Sequence, residues 1–120
     1  MSDQILTVIT EHVTESIVVL TATGEIDRES QSVLGEAAAS ALEGDNDRLV
    51  IDLSAVSFCD SSGLSLFVRL HRRLAERGGS LRLAGAQPLV RTVLEATNLH
   101  RLFPAYPTVE QAVQAALAAD

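Results

Sequence analysis

The hydrophobic pattern of the chain switches between two periods. Residues 5–10 and 17–22 are dense in β-branched side chains, as strands are, and the link His12-Val13-Thr14-Glu15-Ser16 is short enough for an antiparallel hairpin. Gly24-Glu25-Ile26-Asp27 closes the second strand, and Asp27 is placed to cap the helix that follows. In that helix Val33, Leu34, Ala37, Ala38, Ala41 and Leu42 recur at three- and four-residue spacing, until Gly44 stops it. Leu49-Val50-Ile51-Asp52-Leu53 is an almost unbroken apolar run, which predicts a central strand covered on both faces and flanked by parallel neighbours. Residues 54–58 are expected to run on irregularly to the segment Cys59-Asp60-Ser61-Ser62-Gly63-Leu64.

A long helix follows, periodic from Leu64 to Arg77. At about 100° per residue, Gly63, Leu66, Phe67, Leu70 and Leu74 form one stripe, which faces the core. Leu64, Val68 and Ala75, with His71 between them, form a second row beside it. Ser65, Arg69, Arg72 and Glu76 are expected on the opposite face. The apolar arc is wider than one core seam needs. Either the core face is broad, or the second row is a surface for a partner.

Gly78-Gly79 ends this helix, and residues 80–85 alternate as a strand. Pro88 fits the first turn of a helix carrying Leu89, Val90, Val93 and Leu94, with Asn98 at its C-terminus. Residues 99–103 are expected to form a short extended piece, and Pro104 and Pro107 bracket a loop. Thr108 with Gln111 has the spacing of a capping box and opens a last helix with Val109, Ala112, Val113, Ala116 and Leu117. Strands reached through helices predict an α/β fold: one domain over residues 1–120, with a mixed sheet of four to five strands packed with about four helices.

Composition narrows the functional classes. At 47% hydrophobic over 120 residues, the chain can bury one sizeable core, built from aliphatic residues because aromatics are 3%. No run reaches the ~20 apolar residues of a membrane span. The first residues, Met1-Ser2-Asp3-Gln4, lack the basic and apolar regions of a signal peptide, so a cytoplasmic protein is expected. The net charge is −7, which argues against a general nucleic-acid binder. The charge is uneven: twelve acids and two arginines in residues 1–60, four acids and seven arginines in residues 61–120. The single Cys59 excludes an internal disulfide and any multi-cysteine metal site.

Catalytic signals are weak. Ser61 and Ser62 do not sit in a G-x-S-x-G elbow, and His12, His71 and His100 are scattered without partner motifs. No H-E-x-x-H, P-loop or G-x-G-x-x-G is present, so neither a metal nor a cofactor is expected. Cys59 is either a small buried hydrophobe or, at a helix N-terminus, a thiol of lowered pKa. The run Asp60-Ser61-Ser62-Gly63 also has two readings. One of these residues caps the helix and Gly63 allows close packing; or a serine is a phosphorylation switch. A helix N-terminus tolerates a phosphate, and beside Asp60 the added charge would repel a partner docked on the Leu64/Val68 row.

The segment from Leu49 to Leu64 closely resembles the signature of STAS domains, and among these is most similar to bacterial anti-sigma factor antagonists. Gly24-Glu25-Ile26-Asp27, Gly78-Gly79 and the run from Leu99 to Pro107 resemble the family in the same order, so the resemblance spans the chain. It implies a non-enzymatic, cytoplasmic partner-switching protein, monomeric or weakly dimeric, that regulates transcription. Unphosphorylated, such an antagonist binds an anti-sigma factor that is also a serine kinase; the kinase phosphorylates the serine after the Asp, here Ser61, and a PP2C-type phosphatase restores binding. Taken with the second row of the long helix, this makes Asp27, Asp60, Ser61, Ser62, Gly63, Leu64, Val68 and His71 the expected partner-binding residues. A scaffold, or a nucleotide- or lipid-binding module near Asp27 and Ser61, is the alternative; an enzyme using Ser61 or Cys59 is the third.

Overall fold

The computed structural model describes residues 6–119. In chain order the elements are β1 (Thr7–His12), β2 (Ile17–Ile26), α1 (Gln31–Ala41), β3 (Arg48–Cys59), α2 (Ser61–Glu76), β4 (Ser80–Ala84), α3 (Pro88–Ala96), a 3₁₀ turn (Leu99–Arg101), β5 (Ala105–Tyr106) and α4 (Val109–Ala118). The strands form one five-stranded sheet in the order β1-β2-β3-β4-β5. The first pair is antiparallel and the rest are parallel, so the expected mixed sheet with a central β3 is what forms.

This order dictates the layers. From β2 onward each crossover moves one strand further in the same direction, and right-handed connections then put α1, α2 and α3 on one face. The large core lies under them: Val18, Leu20, Leu49, Ile51, Leu81 and Leu83 from the sheet meet Leu34, Phe67, Leu74 and Leu94. The opposite face is left to α4, whose Ala112 packs in a small cluster with Val19, Val50 and Ala84. β3 is therefore covered on both sides along its first half, which is why Leu49, Val50 and Ile51 are apolar in succession.

Several local expectations change. Residues 54–58 are part of β3, which runs unbroken to Cys59 because β2 continues beside it to Ile26. Register shifts between Thr21 and Thr23 and between Gly24 and Glu25 absorb the bends in this long pair, and Gly24 takes φ 123°, which a side chain would resist. Ile5, expected to open β1, lies outside the described residues, and β1 extends instead through His12. Residues 99–103 are not extended: they begin with the 3₁₀ turn, and the last strand is the two-residue β5 between Pro104 and Pro107. Two short hydrogen bonds to the backbone of β4 and its end, from Leu83 N to Pro104 O and from Gly85 N to Tyr106 O at 2.9 Å each, hold that strand.

Other signals act as written. Pro88 sits in the first turn of α3, Asn98 takes the left-handed conformation (φ 61°) just past its end, and Thr108 Oγ1 accepts from Gln111 N at 3.1 Å. At the far end of α2, Arg77 donates to Leu42 O at 2.6 Å and Gly44 O at 2.7 Å, tying the end of α1 to α2. A guanidinium placed on unpaired carbonyls at a helix C-terminus also complements the dipole.

Candidate functional site

The β3–α2 junction is built by the strands that precede it. β2 and β3 are parallel and end together at Ile26 and Cys59, and Asp60 N donates to Ile26 O at 3.1 Å. Asp27 and Asp60, thirty-three residues apart in sequence, are thereby brought to the same end of the sheet.

Asp60 is the N-cap of α2. Its Oδ1 accepts from Ser62 N at 2.8 Å and, more weakly, from Gly63 N at 3.4 Å. Two of the donors left open by the first turn are satisfied by a carboxylate, which also suits the positive end of the helix dipole. The capping question left open by the sequence is thus answered by the acid, and no serine hydroxyl is needed. Ser61, the first helical residue, is exposed, and its hydroxyl makes no hydrogen bond among the described residues. Ser62 is half-buried beside it.

Gly63 and Cys59 are internal. A Cβ at Gly63 would lie 2.5 Å from Cys59 Sγ and 2.7 Å from Ile26 Cγ2, so the glycine is what lets α2 sit against the ends of β2 and β3. Cys59 is buried, and burial followed by the neighbouring Asp60 charge pushes its thiol up to about 12. Burial speaks for the small-hydrophobe reading of Cys59 over the reactive thiol, because desolvation disfavours the thiolate.

Asp27 is not the cap of α1 itself. It caps the turn before it: Oδ1 accepts from Ser30 N at 2.9 Å and Glu29 N at 3.1 Å, and α1 starts at Gln31 behind Ser30. Ser30 Oγ lies 2.8 Å from both Asp27 Oδ1 and Glu25 O, to either of which it can donate its proton, and accepts from Asp27 N at 2.9 Å. These bonds, the backbone one to Ser30 first, hold the Asp27 carboxyl below the usual aspartate range. Ser30 was not singled out from the sequence. The D-x-x-S spacing of a reciprocal cap was the available signal.

Along α2 the outward face is a groove and not a free apolar ridge. Leu64 belongs to the core edge at 9% exposure, and Val68 is half-buried against it. Ser61, Ser65, Arg69 and Arg72 flank them, and Thr97 and Leu99 close the far wall, enclosing an open groove of about 420 Å³. Arg69 and Arg72, expected on the opposite face, therefore share this groove with Leu64 and Val68. Ser61 stands at its head. His71 does not line it: its ring packs edge-on to Phe103, 6.0 Å between centroids. Phe103 in turn meets Phe67 edge-on at 6.1 Å. Ala75 is exposed beyond the groove. Among the described residues no cluster of three or more His, Cys, Asp or Glu could hold a metal, and no helix is long and apolar enough to cross a membrane.

Residues 8–112 match the sequence profile of the STAS domain. The chain belongs to the STAS domain family. A Mycobacterium tuberculosis protein named provisionally as an anti-anti-sigma factor is 31% identical over 94 residues, which are 77% of this chain and 64% of that protein's length. The crystal structure of an anti-sigma factor antagonist from Mycobacterium paratuberculosis superposes with a TM-score of 0.84 at 30% identity, covering 93% of this chain and 94% of the other. The Bacillus cell fate determinant SpoIIAA in its phosphorylated form superposes with a TM-score of 0.71 at 26% identity, covering 90% of this chain and 97% of the other. The five-stranded sheet and four helices are the STAS fold, and the relatives of this chain include anti-sigma factor antagonists.

Proposed function

We propose that this STAS domain is an anti-sigma factor antagonist that works by partner switching in the cytoplasm. Unphosphorylated, it binds an anti-sigma factor that is also a serine kinase; phosphorylated on Ser61, it lets that partner go; a PP2C-type phosphatase resets it. The docking face runs from Asp27 and Asp60 over Ser61 and Ser62 to Leu64 and Val68, with Gly63 setting the closeness of α2 and His71 at its margin.

The observation that carries this reading is the division of labour at the head of α2. Asp60 does the capping, which leaves the Ser61 hydroxyl exposed at a helix N-terminus and without a hydrogen bond among the described residues. A phosphate there is tolerated by the fold, since N–H groups and the dipole favour an anion. The same phosphate places about −1.5 to −2 charges at the head of the groove, beside an existing carboxylate, where a docked partner would have to desolvate it. That a relative of similar fold is known in a phosphorylated form supports the assignment. The Cys59 thiol is buried and raised to about 12, His71 packs on Phe103 and His100 Nδ1 meets Leu94 O, so none of these forms a nucleophile–base pair, which favours binding over catalysis.

Intact-mass analysis after incubation with the anti-sigma factor kinase and ATP tests the site. Wild type and Ser62→Ala should each gain one phosphate and Ser61→Ala none; a phosphate retained in Ser61→Ala refutes the assignment. The competing reading is a scaffold or a nucleotide- or lipid-binding module near Asp27 and Ser61, and calorimetric titration with ATP separates them, because an antagonist needs no tight ligand of its own.

A further inference from the structure

The groove beside Ser61 carries two positive charges and no carboxylate among its lining residues. The chain carries −7 overall, yet Arg69 and Arg72 flank the apolar floor of Leu64, Val68 and Leu99. Both arginines are exposed. Neither has a carboxylate partner among the described residues; Arg69 reaches only Gln31 Oε1, at 3.4 Å, and Arg72 has no polar partner there. Two guanidiniums beside an apolar floor, in a groove with no carboxylate in its lining, are complementary to a surface of opposite sign.

We infer that the segment of the partner seated in this groove is acidic, with apolar side chains entering over Leu64, Val68 and Leu99 and carboxylates meeting Arg69 and Arg72. This rests on the antagonist reading above and names the chemistry of its partner. A second copy of the chain fits poorly: a twofold contact through this face would set the same arginines against each other. Nucleic acid fits poorly because the net charge repels it and only two arginines stand at the groove. An acidic occupant also explains how one phosphate can act along the whole groove. Ser61 lies on the same outward stripe of α2 as Val68 and Arg72, so its phosphate meets a like-charged segment and also competes for the arginines.

The chain contains no lysine, which makes a direct test available. Arg72→Lys places a single side-chain amine in the groove. A zero-length carbodiimide joins that amine only to a carboxylate in contact, forming an amide with loss of the activated oxygen as urea. With the kinase bound, Arg72→Lys should cross-link to an Asp or Glu of the kinase, read by mass spectrometry, and wild type should give no cross-link from the groove. In parallel, Arg69→Glu/Arg72→Glu should weaken the complex at least about tenfold, and Arg69→Gln/Arg72→Gln less, with the circular dichroism spectrum unchanged. Wild-type affinity in the double Glu variant, or a bound Arg72→Lys complex that yields no cross-link, overturns the inference while leaving the antagonist reading intact. Loss of ATP binding by this chain in the double Glu variant, with kinase binding retained, gives the arginines to a small anion and also overturns it. A wild-type chain that binds no kinase at all removes the antagonist reading and the inference with it.

Discussion

Replacing Gly63 by alanine sets two effects against each other. In a helix, alanine is favoured over glycine by about 0.8–1 kcal/mol, so on propensity alone Gly63→Ala stabilises. The structure opposes this. The added Cβ would lie 2.5 Å from Cys59 Sγ and 2.7 Å from Ile26 Cγ2, each well inside van der Waals contact. Both neighbours are buried, and Ile26 is β-branched and stiff, so α2 must move outward by about 1 Å or the strand ends must give. Overpacking of this kind costs about 1–3 kcal/mol, and contact this close argues for the upper part of that range. The net expectation is destabilisation by about 1–2 kcal/mol, or a fall in Tm of roughly 4–8 °C for a domain of this size. Urea titration followed by circular dichroism measures it. The decisive arm is a double-mutant cycle with Cys59→Ala, which removes the nearer obstacle: the pair should be more stable than the sum of the single effects predicts, by about 1 kcal/mol. Gly63→Ala at or above wild-type stability, or strict additivity with Cys59→Ala, would refute the close-approach argument. Because the shift would displace the head of α2, slower phosphorylation of Ser61 should accompany the lost stability.

Asp60→Ala should cost about 1 kcal/mol through the lost cap while Asp60→Asn costs only a few tenths; equal losses in thermal melts would show that charge and not capping is what Asp60 contributes to stability. Cys59 should resist a thiol-reactive probe at pH 8 in the native state and react fully once denatured, since its thiol is buried and raised to about 12; rapid native labelling would contradict that environment. The Asp27 carboxyl is held below its unfolded value of 3.8, so its contribution is present above that pH and is lost as pH falls through the folded value. Ser30→Ala should therefore lower stability at pH 6–8, change it little once Asp27 is protonated, and so shrink the acid-induced drop, and an Asp27 titration by carbon-detected NMR that is unmoved in Ser30→Ala would rule out the hydroxyl as the cause.

Where the sequence pattern misled, distance along the chain was the reason. The wheel for α2 separates Leu64 and Val68 from Ser65, Arg69 and Arg72, because a wheel knows only one helix. The groove that unites them needs a second wall, and that wall is Thr97 and Leu99, some thirty residues on. The same limit keeps the link between Asp27 and Asp60 out of reach of periodicity, so that only the family resemblance set Asp27 near Ser61; the link depends on β2 and β3 ending in register. β5 is two residues long and carries no period to read, so it passed for part of a loop while the turn at Leu99–Arg101 passed for a strand.

What the sequence determined by itself was everything carried by local chemistry and period. The β-branched runs, the unbroken apolar stretch of β3, the glycines after α2, Pro88 at α3 and Thr108 at α4 each fix a conformation within a few residues of themselves. The Asp60-Ser61-Ser62-Gly63 segment was visible as a polar strand-to-helix junction for the same reason. Only the tertiary structure decided which of its residues caps, which packs and which is left exposed. Asp60 turns its carboxylate to the backbone of Ser62 and Gly63, and Gly63 is claimed by Cys59 and Ile26 from two different strands. Ser61 is left with a free hydroxyl at the head of a groove whose far side comes from α3's end. Those roles depend on contacts between segments remote in sequence, and no periodicity within one segment encodes them.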